Sequence, residues 1–289
     1  RVYNEYSSGS PDPSAIRNFL KMLYDRAGNN TANRPKYLLL FGGTSYQFKE
    51  KTGERKNLVP TYQSPSSLDP LTSYLSDDYF GYLDNDDDIN ANIPAPLLDV
   101  AVGRIPARTV AQAKIAVDKI INYQSKSDFG DWRNEITMVA DDEDFDLHLN
   151  DAESHATLIE GKQPVWNLNK IYLDAFQQNS GTGGSRYPEV NATITKGMNL
   201  GTMLWNYSGH GGNARLAQEA ILEKEMLPLW ENQNRLPLFV TATCDFAPFD
   251  NPAQFSIGED LLVGRSNGAI GLMTTTRLVF ASSNKLINN

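Results

Sequence analysis

The sequence predicts a three-layer α/β/α fold with mostly parallel sheets, arranged as two intimate subdomains. Short apolar runs, several ending at glycine, alternate with segments whose apolar residues recur at helical spacing. Strands alternating with helices imply parallel pairing with both sheet faces covered. A polar joint at Ser125–Asp131 divides the chain into expected subdomains 1–128 and 129–289, the second carrying the chemistry.

Taken in order, Ile16, Phe19, Leu20, Leu23 and Tyr24 share one face of a helix over 13–27, stopped by Gly28. Tyr37–Phe41 reads as a buried parallel strand running into Gly42. A polar excursion over 49–88, rich in Pro, Ser and Asp, reads as part of a binding surface. A strand at Leu98–Val102 leads to a helix capped by Thr109, with Val110, Ala113, Val117, Ile120 and Ile121 as its apolar stripe. The second half gives strands at 136–140, 170–173, 202–207, 238–243 and 269–273. Helices are expected near 151–160, 188–196, 218–226 and 257–263, with a Gly-rich loop at 181–184.

Composition narrows the function. With 40% hydrophobic and 21% charged residues over 289 positions, the chain can bury a sizeable core. A net charge of -9 and no basic stripe argue against nucleic acid. No apolar run reaches the roughly 20 residues that span a bilayer, so this segment does not insert directly into membrane. The chain opens at Arg1 and reads as a piece of a longer protein, so a missing leader says nothing about export. One cysteine, Cys244, excludes an internal disulfide and a multi-thiolate metal site.

In parallel sheets, ligands collect at the carboxyl ends of strands. The strand 202–207 empties into Ser208-Gly209-His210-Gly211-Gly212, and the strand 238–243 into Cys244. On neighbouring strands these ends bring a thiol and an imidazole to one edge. A thiolate is the nucleophile, and an imidazole takes its proton and later protonates the leaving amine. The amides of Gly211 and Cys244 are candidate oxyanion donors. Gly209, Gly211 and Ala214 also match G-x-G-x-x-A, but no acidic residue closes a strand about 20 residues on, which disfavours a dinucleotide. His148 and His155 read as solvated surface histidines in preference to a metal pair. Asp141, Asp142 and Glu143 follow a strand at the same edge, and one of them is a candidate to orient His210. Asp84, Asp86 and Asp88 place hard oxygen ligands at alternate positions, as a structural calcium site would, although Ile89 stands where an EF-hand needs Gly.

The motifs NYSGHGG and LPLFVTATCDFAPFDNP resemble the His and Cys motifs of the gingipain-type cysteine peptidases, a family of the caspase-like clan. SLDPLTSYLSDDYFGYL, DVAVGRIPARTV, ADDEDFDLHLNDAE and GAIGLMTTTRLVFASSN extend the resemblance, most closely to the branch serving type IX secretion as signal peptidase and sortase. The resemblance implies a caspase-like fold, Cys244 and His210 as catalytic residues, and Asp142 as the acidic third member. It implies an S1 wall within 274–283, with Thr274, Thr275, Thr276 and Phe280 at the binding site. The chemistry so implied needs no cofactor. The implied substrates are polypeptides, the C-terminal signal domains of secreted cargo, handled with outer-membrane secretion components at the bacterial cell surface. A general secreted peptidase and a silent peptide-binding scaffold are the alternatives.

Overall fold

The computed structural model describes residues 1–48, 57–66, 69, 71–90, 97–125 and 128–280. By its contacts the chain forms two compact units, Arg1–Thr109 with Phe249–Ala253, and Val110–Pro248 with Gln254–Asn289. The division falls at Thr109/Val110 and not near 128, because the helix before the polar joint packs within the second unit.

In the first unit, α1 (Pro13–Ala27) begins where Asp12 accepts a hydrogen bond from the Ser14 amide at 2.7 Å. Pro13 at the first helical position gives up no useful donor. Strand β1 (Tyr37–Phe41) pairs in parallel with β2 (Ala101–Ile105), Leu39 opposite Gly103. β2 starts later than its apolar pattern implies, since Gly103 lies inside the ladder instead of ending it. Leu20, Leu83 and Val100 form a small core with Tyr24 and Leu38 against it. The other face of β1 is open: Leu39 is 59% exposed, so the strand is not buried on both sides. Arg104 binds the two carboxylate oxygens of Asp77 at 2.6 and 2.8 Å and donates to the carbonyls of Gly42 and Val59. That planar, five-donor group orders the described part of the polar excursion.

The second unit contains α2 (Val110–Tyr123), β3 (Glu135–Ala140), α3 (Leu147–Lys162), β4 (Asn167–Tyr172), α4 (Pro188–Leu200), β5 (Leu204–Ser208), β6 (Leu238–Ala242), α5 (Ile257–Glu259, continuing as a π turn over Asp260–Gly264) and β7 (Gly271–Met273). The five strands form one sheet in the order β7-β6-β5-β3-β4, every pair parallel. Alternation sets its two faces. Val139, Trp205, Tyr207 and Phe239 pack with Val190, Ile194 and Met198 of α4. Ile136 and Met138 pack with Ala156 of α3 on the other side. Trp205 stacks on Phe239 with centroids 4.5 Å apart. Helices on both faces make the three layers expected.

Two helical expectations change. The stripe foreseen on α2 faces outward, with Val110 88% exposed, while Ala116 and Lys119 are buried. Lys119 wins that face because its ammonium donates to the carbonyls of Leu261, Leu262 and Ala269, at 2.7, 3.2 and 3.1 Å, around the end of α5. No α-helix forms over 218–226. Arg215–Leu216 pairs antiparallel with Leu222–Glu223, and a 3-10 turn follows over Lys224–Leu229. Ala217 and Ala220 both take positive φ, 57° each, closing the chain into a turn that a helix cannot contain.

Candidate active site

The site grows from strand register. Ser208 at the end of β5 lies opposite Ala242 of β6 on one side and Ala140 of β3 on the other. Both ladders continue one step: Asp141 N–H donates to Ser208 O at 3.0 Å, and Gly209 N–H to Ala242 O at 3.2 Å. Asp141, His210 and Cys244 therefore leave the sheet at one carboxyl edge. His210 and Cys244 each stand two residues past the pair Ser208–Ala242. Strand order reverses direction between β3 and β5, which is where such a sheet opens a crevice.

Asp141 is fully buried and anchors the imidazole loop by its backbone. Its Oδ2 accepts from the His210 amide at 2.8 Å, and its Oδ1 from the Asp142 amide at 3.0 Å. Tyr207 Oη donates to His210 O at 2.7 Å and also contacts Asp141 Oδ2. Burial raises the Asp141 carboxyl above its ordinary value, opposed by the His210 amide. A Cβ at Gly209 would sit 2.4 Å from both Asp141 Cβ and Tyr207 Oη, so only glycine passes here. At Gly211 a Cβ would meet Thr243 Oγ1 at 2.5 Å, which places the imidazole loop directly against the residue before Cys244.

The imidazole of His210 is 44% exposed, and its Nε2 lies 3.1 Å from Asp144 Oδ2. The same oxygen lies 3.4 Å from Nε2 of His148, whose ring meets that of His210 edge-on at 5.3 Å. Asp144, Phe145 and Asp146 all hold positive φ, at 61°, 54° and 61°. Three consecutive left-handed residues cost roughly 1–2 kcal/mol each, a local strain of the kind concentrated at functional sites. His148 and His155 are buried on α3, not solvated. Burial holds the His148 imidazole below its ordinary value, with Asp141 acting the other way. His148 Nε2 makes no hydrogen bond, its contact with Asp144 lacking the geometry of one.

Cys244 is partly exposed, and its Sγ approaches Val279 O at 3.4 Å. The segment after β7 runs beside the Cys244 turn: Thr275 O accepts from Ala247 N–H, and Arg277 O from Asp245 N–H. Thr274 Oγ1 meets Thr241 Oγ1, and buried Thr275 donates to Thr243 O at 2.6 Å. These two threonines brace the turn, whereas Phe280 is 65% exposed. Positions 281–283 of the expected S1 wall lie outside the described residues. In the bridge Gly211–Leu216 the bonds are made by His210 O and Gly212 N–H, so the Gly211 amide points away from that ribbon. Among the described residues neither it nor the Cys244 amide donates to a protein group. A cleft of about 320 Å³ is lined by His210, Gly211, Gly212, Asn213, Arg215 and Gln218. No helix starts in this loop to receive a pyrophosphate.

The acidic residues expected at the site are arranged differently. Asp142 accepts from Tyr187 Oη at 2.6 Å, and the carboxylate on His210 is that of Asp144. The run ADDEDFD displays five acidic residues, and only the left-handed turn, invisible in the letters, selects the fourth. Asp84, Asp86 and Asp88 do not converge: among the described residues, the groups able to share an ion are Asp144–His148–His210 and Asp141–Asp142–Glu219. Asp88 Oδ1 accepts instead from the Asn90 amide at 2.8 Å.

The fold resembles the crystal structure of the Arg-specific cysteine proteinase gingipain R, RGPB, at TM-score 0.67 and 19% identity, over 91% of this chain and 52% of that one. It also resembles a complex of Porphyromonas gingivalis RgpB pro- and mature domains, at TM-score 0.69 and 19% identity, over 99% of this chain and 59% of that one. The chain thus spans little more than half the length of these solved structures. A dimeric latent PorU from Porphyromonas gingivalis is 36% identical over 45% of this chain and 13% of that one, at TM-score 0.36. No curated protein matches. The model of Peptidase family C25 matches residues 1–289, and the chain belongs to that family of gingipain-type cysteine peptidases.

Proposed function

We propose that the chain cleaves polypeptides with Cys244 as nucleophile, His210 as general acid and base, and Asp144 as the group that orients the imidazole. The observation that carries this reading is the register Ser208–Ala242, beyond which both reactive residues follow at the same step on adjacent strands. With its Nε2–H on Asp144, His210 keeps a lone pair on Nδ1. In this mechanism the thiol turns from Val279 O and yields its proton to that nitrogen, and the thiolate attacks the scissile carbonyl. The amides of Gly211 and Cys244 receive the oxyanion. The imidazolium then protonates the departing amine, leaving a thioester for water or a second amine to open.

The finer reading is removal of C-terminal sorting signals from secreted cargo at the bacterial cell surface, with transfer to an amine as a sortase would perform it. Its support is the motif similarity to the PorU branch, running from SLDPLTSYLSDDYFGYL to GAIGLMTTTRLVFASSN. Iodoacetamide labelling of Cys244 across pH tests the enzyme: an activated thiol reacts at pH 6, whereas an ordinary one waits for pH near about 8.5. Negligible labelling at pH 6 together with intact peptide cleavage by Cys244→Ala would overturn it. Mass spectrometry of cargo C-termini, with and without the thiol, separates hydrolysis, amine transfer and general peptidase activity.

A further inference from the structure

We propose that Asp144, His148 and His210 form a zinc site that switches the imidazole off. Asp144 Oδ2 lies 3.4 Å from His148 Nε2 and 3.1 Å from His210 Nε2, and one ligand atom from each of the three residues lies within 4.8 Å of the others. Zinc bound at 2.0–2.2 Å to nitrogen and oxygen spaces tetrahedral ligands about 3.3–3.5 Å apart, so two edges of the coordination figure are already close to drawn. His148 supplies the independent sign of a ligand: its side chain is 6% exposed, yet its Nε2 has no hydrogen-bond partner and faces the shared oxygen. A buried ring nitrogen with no partner costs stability, and a metal ion would satisfy it. Two imidazoles and one carboxylate suit zinc among common biological dications; calcium and magnesium prefer all-oxygen sets. Three protein ligands leave a fourth position for water. Cys244 is not within the group.

The consequence rests on the catalytic reading of His210, although binding itself does not. Zinc takes the Nε2 lone pair, and the proton that Nε2 carried moves through solvent to Nδ1. No electron is exchanged. Nδ1 is the nitrogen that must accept the thiol proton, so the loaded imidazole cannot act as a base.

Titration calorimetry of the folded chain with Zn²⁺, and Co²⁺ absorption as a report of tetrahedral geometry, test the site. One ion per chain is expected, with affinity about tenfold or more weaker in His148→Ala and Asp144→Asn, and unchanged in Cys244→Ala. Asp144 is half-exposed, so Asp144→Asn decides the matter if His148→Ala does not fold. No saturable binding, binding that ignores both substitutions, or binding lost with Cys244→Ala would each overturn the site. Cleavage that survives in Cys244→Ala would instead sink the catalytic reading and leave the titration result standing.

Discussion

Asp144 Oδ2 reaches His210 Nε2 at 3.1 Å from a backbone held in the left-handed region. In the proposed mechanism this pair, and not Asp142, sets the tautomer that leaves Nδ1 free. Asp144→Asn should lower kcat/KM on a peptide substrate by about tenfold to a hundredfold, as loss of an orienting carboxylate does. Asp142→Asn should change it by less than about threefold, because its carboxylate serves Tyr187. Steady-state kinetics of both variants check the assignment, and the reverse ranking would return the role to Asp142.

The contrast shows what the letters carry. The alternation of strand and helix predicts the parallel sheet, and the strand ends predict that His210 and Cys244 follow adjacent strands, as the register Ser208–Ala242 has them. Which acidic residue turns toward the ring depends on three positive φ angles in non-glycine residues. Sequence patterns disfavour such angles and so cannot announce them. The face of α2 was hidden for a related reason. A lysine wins burial over an apolar stripe only when distant carbonyls at Leu261 and Ala269 await it.

Gly209 is squeezed between Asp141 and Tyr207. Gly209→Ala forces atoms apart at the buried anchor of the His210 amide, and overpacking of this kind costs about 1–3 kcal/mol. The substitution should lower the unfolding free energy by that amount, read in a denaturant titration, and reduce kcat at permissive temperature. A variant of wild-type stability and rate would show that the loop has room.

Lys119 carries a pH dependence of stability. Burial pushes its ammonium down to about 7 in the folded chain, with Asp260 opposing, while the unfolded side chain keeps the ordinary lysine value. Between these two values the unfolded chain binds more protons, so this group makes stability rise with pH from about 7 to about 10. At about 1.4 kcal/mol per pH unit the rise is a few kcal/mol, and below pH 7 both states are charged and the slope ends. Chemical denaturation across that range should show the rise in wild type and its loss in Lys119→Met.

Thr275 tests whether the turn bearing the thiol is braced from behind. Its hydroxyl donates to Thr243 O at 2.6 Å in a buried position, whereas at Thr276 it is the backbone carbonyl that is engaged, by Arg277. Thr275→Val keeps the branched shape but leaves the Thr243 carbonyl without that donor, at a cost of about 1–3 kcal/mol. Because Thr243 precedes the nucleophile, the same change should lower kcat severalfold while KM moves little. Thr276→Val should stay within about 0.5 kcal/mol of wild type. Equal effects at the two positions in thermal unfolding and kinetics would mean that the Thr275 bond does not hold Cys244 in place.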